Sequence, residues 1–145
     1  MIYTYEHESK EKITHRDLID KIMNNPSMIA QDFKPIRKEV LVLRGTVDIV
    51  GKLKEDFCLV EVKVSKQAML MINAKKQLAR YTRAINQYCE IFQFPKIEFK
   101  YIVVRKLNHI LKINIYDSEG DLLKESYVNG KGYRGVVDDG KIPIY

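Results

Sequence analysis

Tryptophan is absent from this chain, and cysteine occurs only twice in 145 residues. Cys58 and Cys89 form no CxxC and no other metal-ligand spacing, so they read as two buried free thiols of an intracellular protein. No apolar run approaches the roughly 18 residues of a membrane span. The opening Met1-Ile2-Tyr3-Thr4-Tyr5-Glu6 has no apolar signal core either. A soluble, cytoplasmic protein with no membrane partner is expected. There is no internal repeat and no low-complexity tract. Nor is there a helix-turn-helix or zinc-finger pattern, which argues against direct reading of base edges.

What is present is an ordinary globular balance, 46% hydrophobic and 30% charged. The length suits one domain over residues 1–145. The net charge of +6 and a pI near 9.2 favour an anionic partner. Thr14 to Asp17 has the form of a capping box and opens a helix carrying Leu18, Ile19 and Ile22, stopped by Asn24-Asn25-Pro26. A short turn over 27–32 leads through Phe33-Lys34-Pro35 to strands over 39–43, 46–52 and 57–64, the last two joined by a turn at Lys54-Glu55-Asp56. A long helix over 68–92 follows, with Leu78, Tyr81, Ile85, Tyr88 and Phe92 as a core-facing stripe. Pro95 closes it. Strands are expected over 97–104, 110–116 and 122–128, then a glycine-rich tail over 129–145. A long helix after a strand is a natural crossover to a parallel neighbour, so the order implies an α/β fold with an αβββαβ core over about 14–104. A hairpin and tail over about 109–145 are additional.

Two short strings stand out, Gly45-Thr46-Val47-Asp48 and Val60-Glu61-Val62-Lys63-Val64. Alternation along a strand puts Glu61 and Lys63 on one face, and an apolar row, Cys58, Val60, Val62 and Val64, on the other. Phe57 and Leu59 share the face of Glu61, so the strand is covered on both sides. Charged groups there are unfavourable unless they are paired or bind something. Asp48 on the neighbouring antiparallel strand lies within about 5 Å of Glu61 if the two are in register. Two hard carboxylates so placed suit a single Mg²⁺ or Mn²⁺, with the Val62 carbonyl as a further ligand and Lys63 to orient water or neutralise charge on a phosphate.

An Asp followed by Glu-x-Lys on consecutive strands resembles the PD-(D/E)xK nuclease superfamily. In combination, Gly45-x-x-Asp48-Ile49-x-Gly51, Leu59-Val60-Glu61-Val62-Lys63 and Gln77-Leu78-Ala79-Arg80-Tyr81 are similar to the nuclease domain of the archaeal NucS/EndoMS endonucleases. The Gln-x-x-x-Tyr helix is shared with RecB-like nucleases. Asn25-Pro26-Ser27-Met28-Ile29 resembles the segment that opens that domain. The resemblance covers about residues 14–84. It implies a restriction-endonuclease-like mixed sheet flanked by helices, with Asp48, Glu61 and Lys63 catalytic and Gln77 and Tyr81 lining the site. Such families also place a Glu in the first helix. Here the helix offers His15, Asp17 or Asp20, and Asp17, a capping residue by position, is the acid carried as a metal ligand.

Lys76, Arg80 and Arg83 recur at i, i+4 and i+7 on the long helix beside the apolar stripe. With Lys75 and Arg44 they are candidate DNA contacts, and Lys34, Arg37 and Lys38 form a second basic group. Glu39 reads as a surface ion-pair partner. The resulting expectation is a Mg²⁺- or Mn²⁺-dependent DNA endonuclease selecting DNA structure rather than sequence. A homodimer is expected, with 110–116 and 122–128 as the suspected interface. The alternatives are a non-catalytic nucleic-acid-binding protein of the same fold, or a subunit of a larger complex.

Overall fold

The computed structural model describes residues 14–43, 45–64, 69–129 and 134–136. Thr14 caps helix α1 (His15–Asn24), and the capping box is formed in both directions: the Asp17 N–H donates to Thr14 Oγ1, and the Thr14 N–H to the Asp17 carboxylate. A 3-10 turn, Pro26–Met28, leads to β1 (Phe33–Val42), β2 (Gly45–Leu53) and β3 (Asp56–Lys63). Helix α2 (Met69–Ile91) then crosses to β4 (Lys100–Leu107), followed by β5 (Ile110–Tyr116), β6 (Leu122–Asn129) and β7 (Arg134–Val136). The strands lie in one mixed sheet in chain order. All described pairings are antiparallel except β3 with β4, which α2 bridges as a parallel crossover. The expected αβββαβ order is therefore observed, and the C-terminal hairpin extends the same sheet.

The sheet has two apolar faces. Leu18, Ile19 and Ile22 of α1 pack with Cys58, Val60 and Val62 on one side. Ala74, Leu78 and Tyr81 of α2 pack with Leu59, Val47 and Val103 on the other. Leu59 is buried on the Glu61 face as expected, but Phe57 is 38% exposed at the strand's start. The α2 stripe also ends early. Leu78 and Tyr81 are buried, whereas Tyr88 and Phe92 are exposed. Cys89, in the last turn of α2, is buried instead, so the inward face of the helix runs through Cys89 rather than along the Tyr88–Phe92 line.

Strand ends differ from expectation for local reasons. β1 begins six residues earlier than expected and includes Pro35, which its outer position and a register shift between Pro35 and Arg37 accommodate. β4 starts and ends three residues later than expected, and reaches β5 through Asn108-His109, with Asn108 in the left-handed region at φ 56°. Arg44 and most of the expected tail lie outside the described residues. The alternation of β5 and β6, suspected of making a dimer interface, serves this chain's own core, since Leu111, Ile113, Ile115 and Val128 are buried against the α1 face. No helix among the described residues is long and apolar enough to cross a membrane.

Gly51 lies under β1, where an added Cβ would sit 2.8 Å from the Lys34 carbonyl oxygen and 2.8 Å from Phe33 Cε1. Backbone on one side and a buried ring on the other leave little room to yield. We expect Gly51→Ala to lower unfolding free energy by about 1–3 kcal/mol. An unchanged urea midpoint would show that β1 moves aside without loss.

Candidate functional site

Val47 belongs to the α2-side cluster and Ile49, two residues on, to the α1-side cluster, so the face alternation of β2 reverses at Asp48. Opposite it, Glu39 takes a left-handed φ of 52° between the paired Lys38↔Ile49 and Val40↔Val47. The β2–β3 ladder ends at Ile49↔Val60. Extended by one residue, that register brings Asp48 opposite Glu61. In place of the next ladder bond, the Val62 N–H donates to Asp48 Oδ2 at 2.7 Å. N–H and C=O of one strand residue leave on the same side, so the Val62 carbonyl also faces this fork.

Both carboxylates are buried, Asp48 at 6% and Glu61 at 4% exposure. Glu61 Oε2 pairs with Lys63 Nζ at 3.0 Å, while Oε1 is buried without a hydrogen-bond partner. Lys63 Nζ donates to Gln77 Oε1 at 3.0 Å, and Gln77 Nε2 donates to the Tyr81 hydroxyl at 3.4 Å. The Gln-x-x-x-Tyr spacing puts both groups on one face of α2, one turn apart. Burial, and then the neighbouring Asp48 charge, push the Glu61 carboxyl up to about 7 against the opposing Lys63 ammonium. Burial and the two carboxylates likewise raise the Tyr81 phenol, which stays protonated. A Cβ at Gly45 would meet Tyr81 Cε1 at 2.5 Å, so the ring lies directly on the glycine at the start of β2.

From α1 it is His15 that reaches the pair, its Nε2 lying 3.1 Å from Asp48 Oδ2. Asp17 is not brought there. It is exposed and engaged in the helix cap, which corrects its expected place beside the metal ligands. Asp20 pairs with Lys38, and Glu39 with Arg16 at 3.6 Å. The sequence offers His15 beside Asp17 and Asp20, and how α1 crosses the fork selects His15. Among the described residues, no three His, Cys, Asp or Glu side chains converge as a metal nest.

Lys76, Arg80 and Arg83 line one recess together with Lys63 and Gln77. Lys75 departs from that row. Its ammonium lies 4.6 Å from the Tyr116 ring centroid, on the hairpin side of α2. Arg44 lies outside the described residues.

The model of the endonuclease NucS C-terminal domain family matches residues 14–93, more than half of the chain. The chain belongs to this family. It is 32% identical over 108 residues to Endonuclease NucS of Sulfolobus acidocaldarius, covering 73% of this chain and 43% of that protein. Endonuclease NucS of Sulfurisphaera tokodaii is 39% identical over 72 residues, covering 48% of this chain and 27% of that protein. The chain thus spans less than half the length of these relatives. A solved structure described as an EndoMS-dsDNA2 complex aligns with a TM-score of 0.41 at 18% identity, over 64% of this chain and 37% of that one. The matched span includes the acid pair, Lys63 and the Gln77–Tyr81 turn.

A carboxyl raised in the folded state adds stability that is complete below its unfolded value and is lost as pH rises through the folded one. For Glu61, in metal-free protein, that window runs from 4.5 to about 7. Glu61→Gln is expected to gain on the wild type across pH 5 to 8 in EDTA, by up to roughly 3 kcal/mol. Urea midpoints of both proteins at each pH measure it, and a difference that stays flat with pH would show Glu61 to ionise normally.

Proposed function

We propose that this chain is a Mg²⁺- or Mn²⁺-dependent deoxyribonuclease that cuts phosphodiester bonds internally, selecting branched, flapped or single-stranded DNA by structure rather than by base sequence. The observation that carries this reading is the buried Asp48–Glu61 pair at the fork between β2 and β3, with Glu61 Oε1 unpartnered and Oε2 tied to Lys63. Two adjacent buried carboxylates repel each other, and a divalent cation removes that repulsion while giving the orphan oxygen a partner. The donors fit the ion. Mg²⁺ is commonly held by one or two carboxylates and completes its shell with water and substrate oxygens, so a third acid from α1 is not required. Asp48, Glu61 and the Val62 carbonyl would hold it. When bound, such an ion supplies charge neutralisation at the phosphate and a more acidic water.

The chain's own groups do the rest. The Val62 N–H and His15 fix Asp48 from two sides. Lys63 Nζ, held between Glu61 and Gln77, has its third proton to donate to an attacking water or to a non-bridging phosphate oxygen. Gln77 and Tyr81 act as positioning residues for that ammonium. Lys76, Arg80 and Arg83 would hold the DNA backbone along α2 beside the fork. The names of the relatives support the same reading. A homodimer would present two such forks to two strands.

A second reading, a DNA-binding protein with this fold and no catalysis, is favoured by one observation: a histidine, not an acid, comes from α1 to Asp48. The two part on end-labelled single-stranded, duplex, flap and four-way-junction DNA incubated with Mg²⁺, Mn²⁺ or EDTA. We expect metal-dependent internal cutting that Glu61→Ala abolishes and that Lys63→Ala slows by about 10²–10⁴. Folded protein that binds these substrates in EDTA and never cuts them with either ion would leave the second reading standing.

The basic row makes a separate prediction. Each duplex phosphate contact contributes about 0.9 to the log–log salt dependence of binding. Lys76→Ala with Arg80→Ala should lower that slope by about 1–2, whereas Lys75→Ala, on the hairpin side, should leave it unchanged. Equal effects from all three lysine and arginine changes would mean that the basic row does not track the backbone.

A further inference from the structure

The recess beside Lys63 and Gln77 does not end at Arg83. Arg83 and Ala79 also line a groove of about 650 Å³ farther along α2, bounded by Asn86, Gln87, Phe94 and Lys96. From Gln77 to Asn86 is about 13 Å along the helix. We infer that this groove is a nucleobase site, which takes an unpaired base from single-stranded DNA whose backbone follows Lys76, Arg80 and Arg83. The inference rests on the DNA reading above and deepens it, since it assigns part of the recognition to a single-stranded stretch.

Three features of the groove favour a base over other occupants. The first is an aromatic face in the open. Phe94 is 67% exposed, although it belongs to a tightly specified turn. α2 ends in a Schellman motif, with the Phe94 N–H donating to the Cys89 carbonyl at 2.8 Å and the Gln93 N–H to that of Glu90 at 3.2 Å. Gln93 takes the left-handed position at φ 62°. The backbone carrying the ring is therefore fixed, as a stacking platform requires.

The second is a rigid floor. The Asn86 side chain both donates to the Ile97 carbonyl at 2.9 Å and accepts from its N–H at 2.8 Å. The Tyr101 hydroxyl donates to Thr82 Oγ1 at 3.1 Å. The third is charge. Arg83 and Lys96 flank the opening and outnumber the single lining carboxylate, Glu90. An apolar peptide would gain nothing from those cations, whereas a polyanion with π faces matches both the cations and the ring. Gln87, exposed at the rim, can bond a base edge in either sense.

The test is binding in EDTA, which keeps cutting out of the measurement. Fluorescence anisotropy compares a labelled oligothymidine of about 12 nucleotides with an abasic oligomer of equal phosphate number. Phe94→Ala should weaken oligothymidine binding roughly tenfold, the loss of one stacked base, and leave abasic binding unchanged. Phe94→Trp should retain affinity, with its emission quenched on binding. Arg83→Ala should weaken both ligands and reduce the salt slope by about 0.7, the value for a single-strand contact.

Wild-type protein that binds both oligomers, with Phe94→Ala binding oligothymidine as tightly, would overturn the base site and leave the nuclease reading intact. Wild-type protein that binds neither would overturn the base site, while the nuclease reading stands or falls on the metal-dependent cleavage assay. A dimer in sedimentation that Phe94→Ala converts to monomer would assign the groove, with the exposed Ile91 and Phe92 next to it, to a second copy of the chain instead.

Discussion

One hydrogen bond organises the site: the Val62 amide to the Asp48 carboxylate, where the β2–β3 ladder would otherwise have continued. An antiparallel pair normally satisfies its amides with carbonyls, and this satisfaction holds the strands in contact. Here a side chain takes over the acceptor role. β2 can then turn its faces over at Asp48 without leaving the Val62 amide unpaired. The gap so opened is lined by a carboxylate from each strand, with α1 on one face and α2 on the other. Removing Asp48 would therefore unmake the fork as well as a ligand, and a change there confounds structure with chemistry more than a change at Glu61 does.

The α2 side is coupled to the fork through a chain of polar contacts, Glu61 to Lys63 to Gln77 to Tyr81, that ends on the bare backbone of Gly45. β3 contributes the charge and α2 its orientation, while β2 contributes the space for the phenol ring. Glu61 and Lys63 are two apart on the strand, Gln77 and Tyr81 are four apart on the helix, and the Lys63–Gln77 bond joins the two elements. The arrangement therefore follows from secondary-structure periodicity once the crossover is in place. The raised Glu61 carboxyl reflects the same enclosure, because two acids and one ammonium are held where water cannot spread their charge.

Much of this was legible beforehand. The capping box of α1, the αβββαβ order and the shared face of Glu61 and Lys63 follow from periodicity and turn chemistry, and all three are observed. That Asp48 meets Glu61 depends on strand register, which the sequence leaves open and the Ile49↔Val60 pair supplies. What could not be read was anything set by how elements cross. Asp17 and His15 lie within one turn of each other, and only the angle of α1 over the sheet decides that the imidazole meets Asp48 while the acid stays on the cap. Lys75 and Lys76 are neighbours in sequence, yet a 100° step separates their directions and sends one of them to Tyr116. The α2 stripe continues to Phe92 in sequence, but in its last turn the helix buries Cys89 and leaves Tyr88 outward. The glycines of the motif were visible as letters, and their reason, a ring on Gly45 and a carbonyl on Gly51, is a matter of tertiary contact.

β1 has a further consequence for how copies of this protein can meet. Among the described residues it is an outer strand, ten residues long, with Ile36 and Leu41 well exposed. A straight strand of that kind invites another edge to add to it, which is a common route to unwanted assembly. This one is interrupted twice, by the bulge after Pro35 and by the left-handed turn at Glu39, and it carries Lys34, Arg37 and Lys38 along its length. Only short regular runs remain, over 33–35, 37–38 and 40–42. The kink at Glu39 that accompanies the reversal at Asp48 thus also breaks up the outer margin of the sheet, so the geometry that opens the fork discourages strand-by-strand polymerisation through this edge.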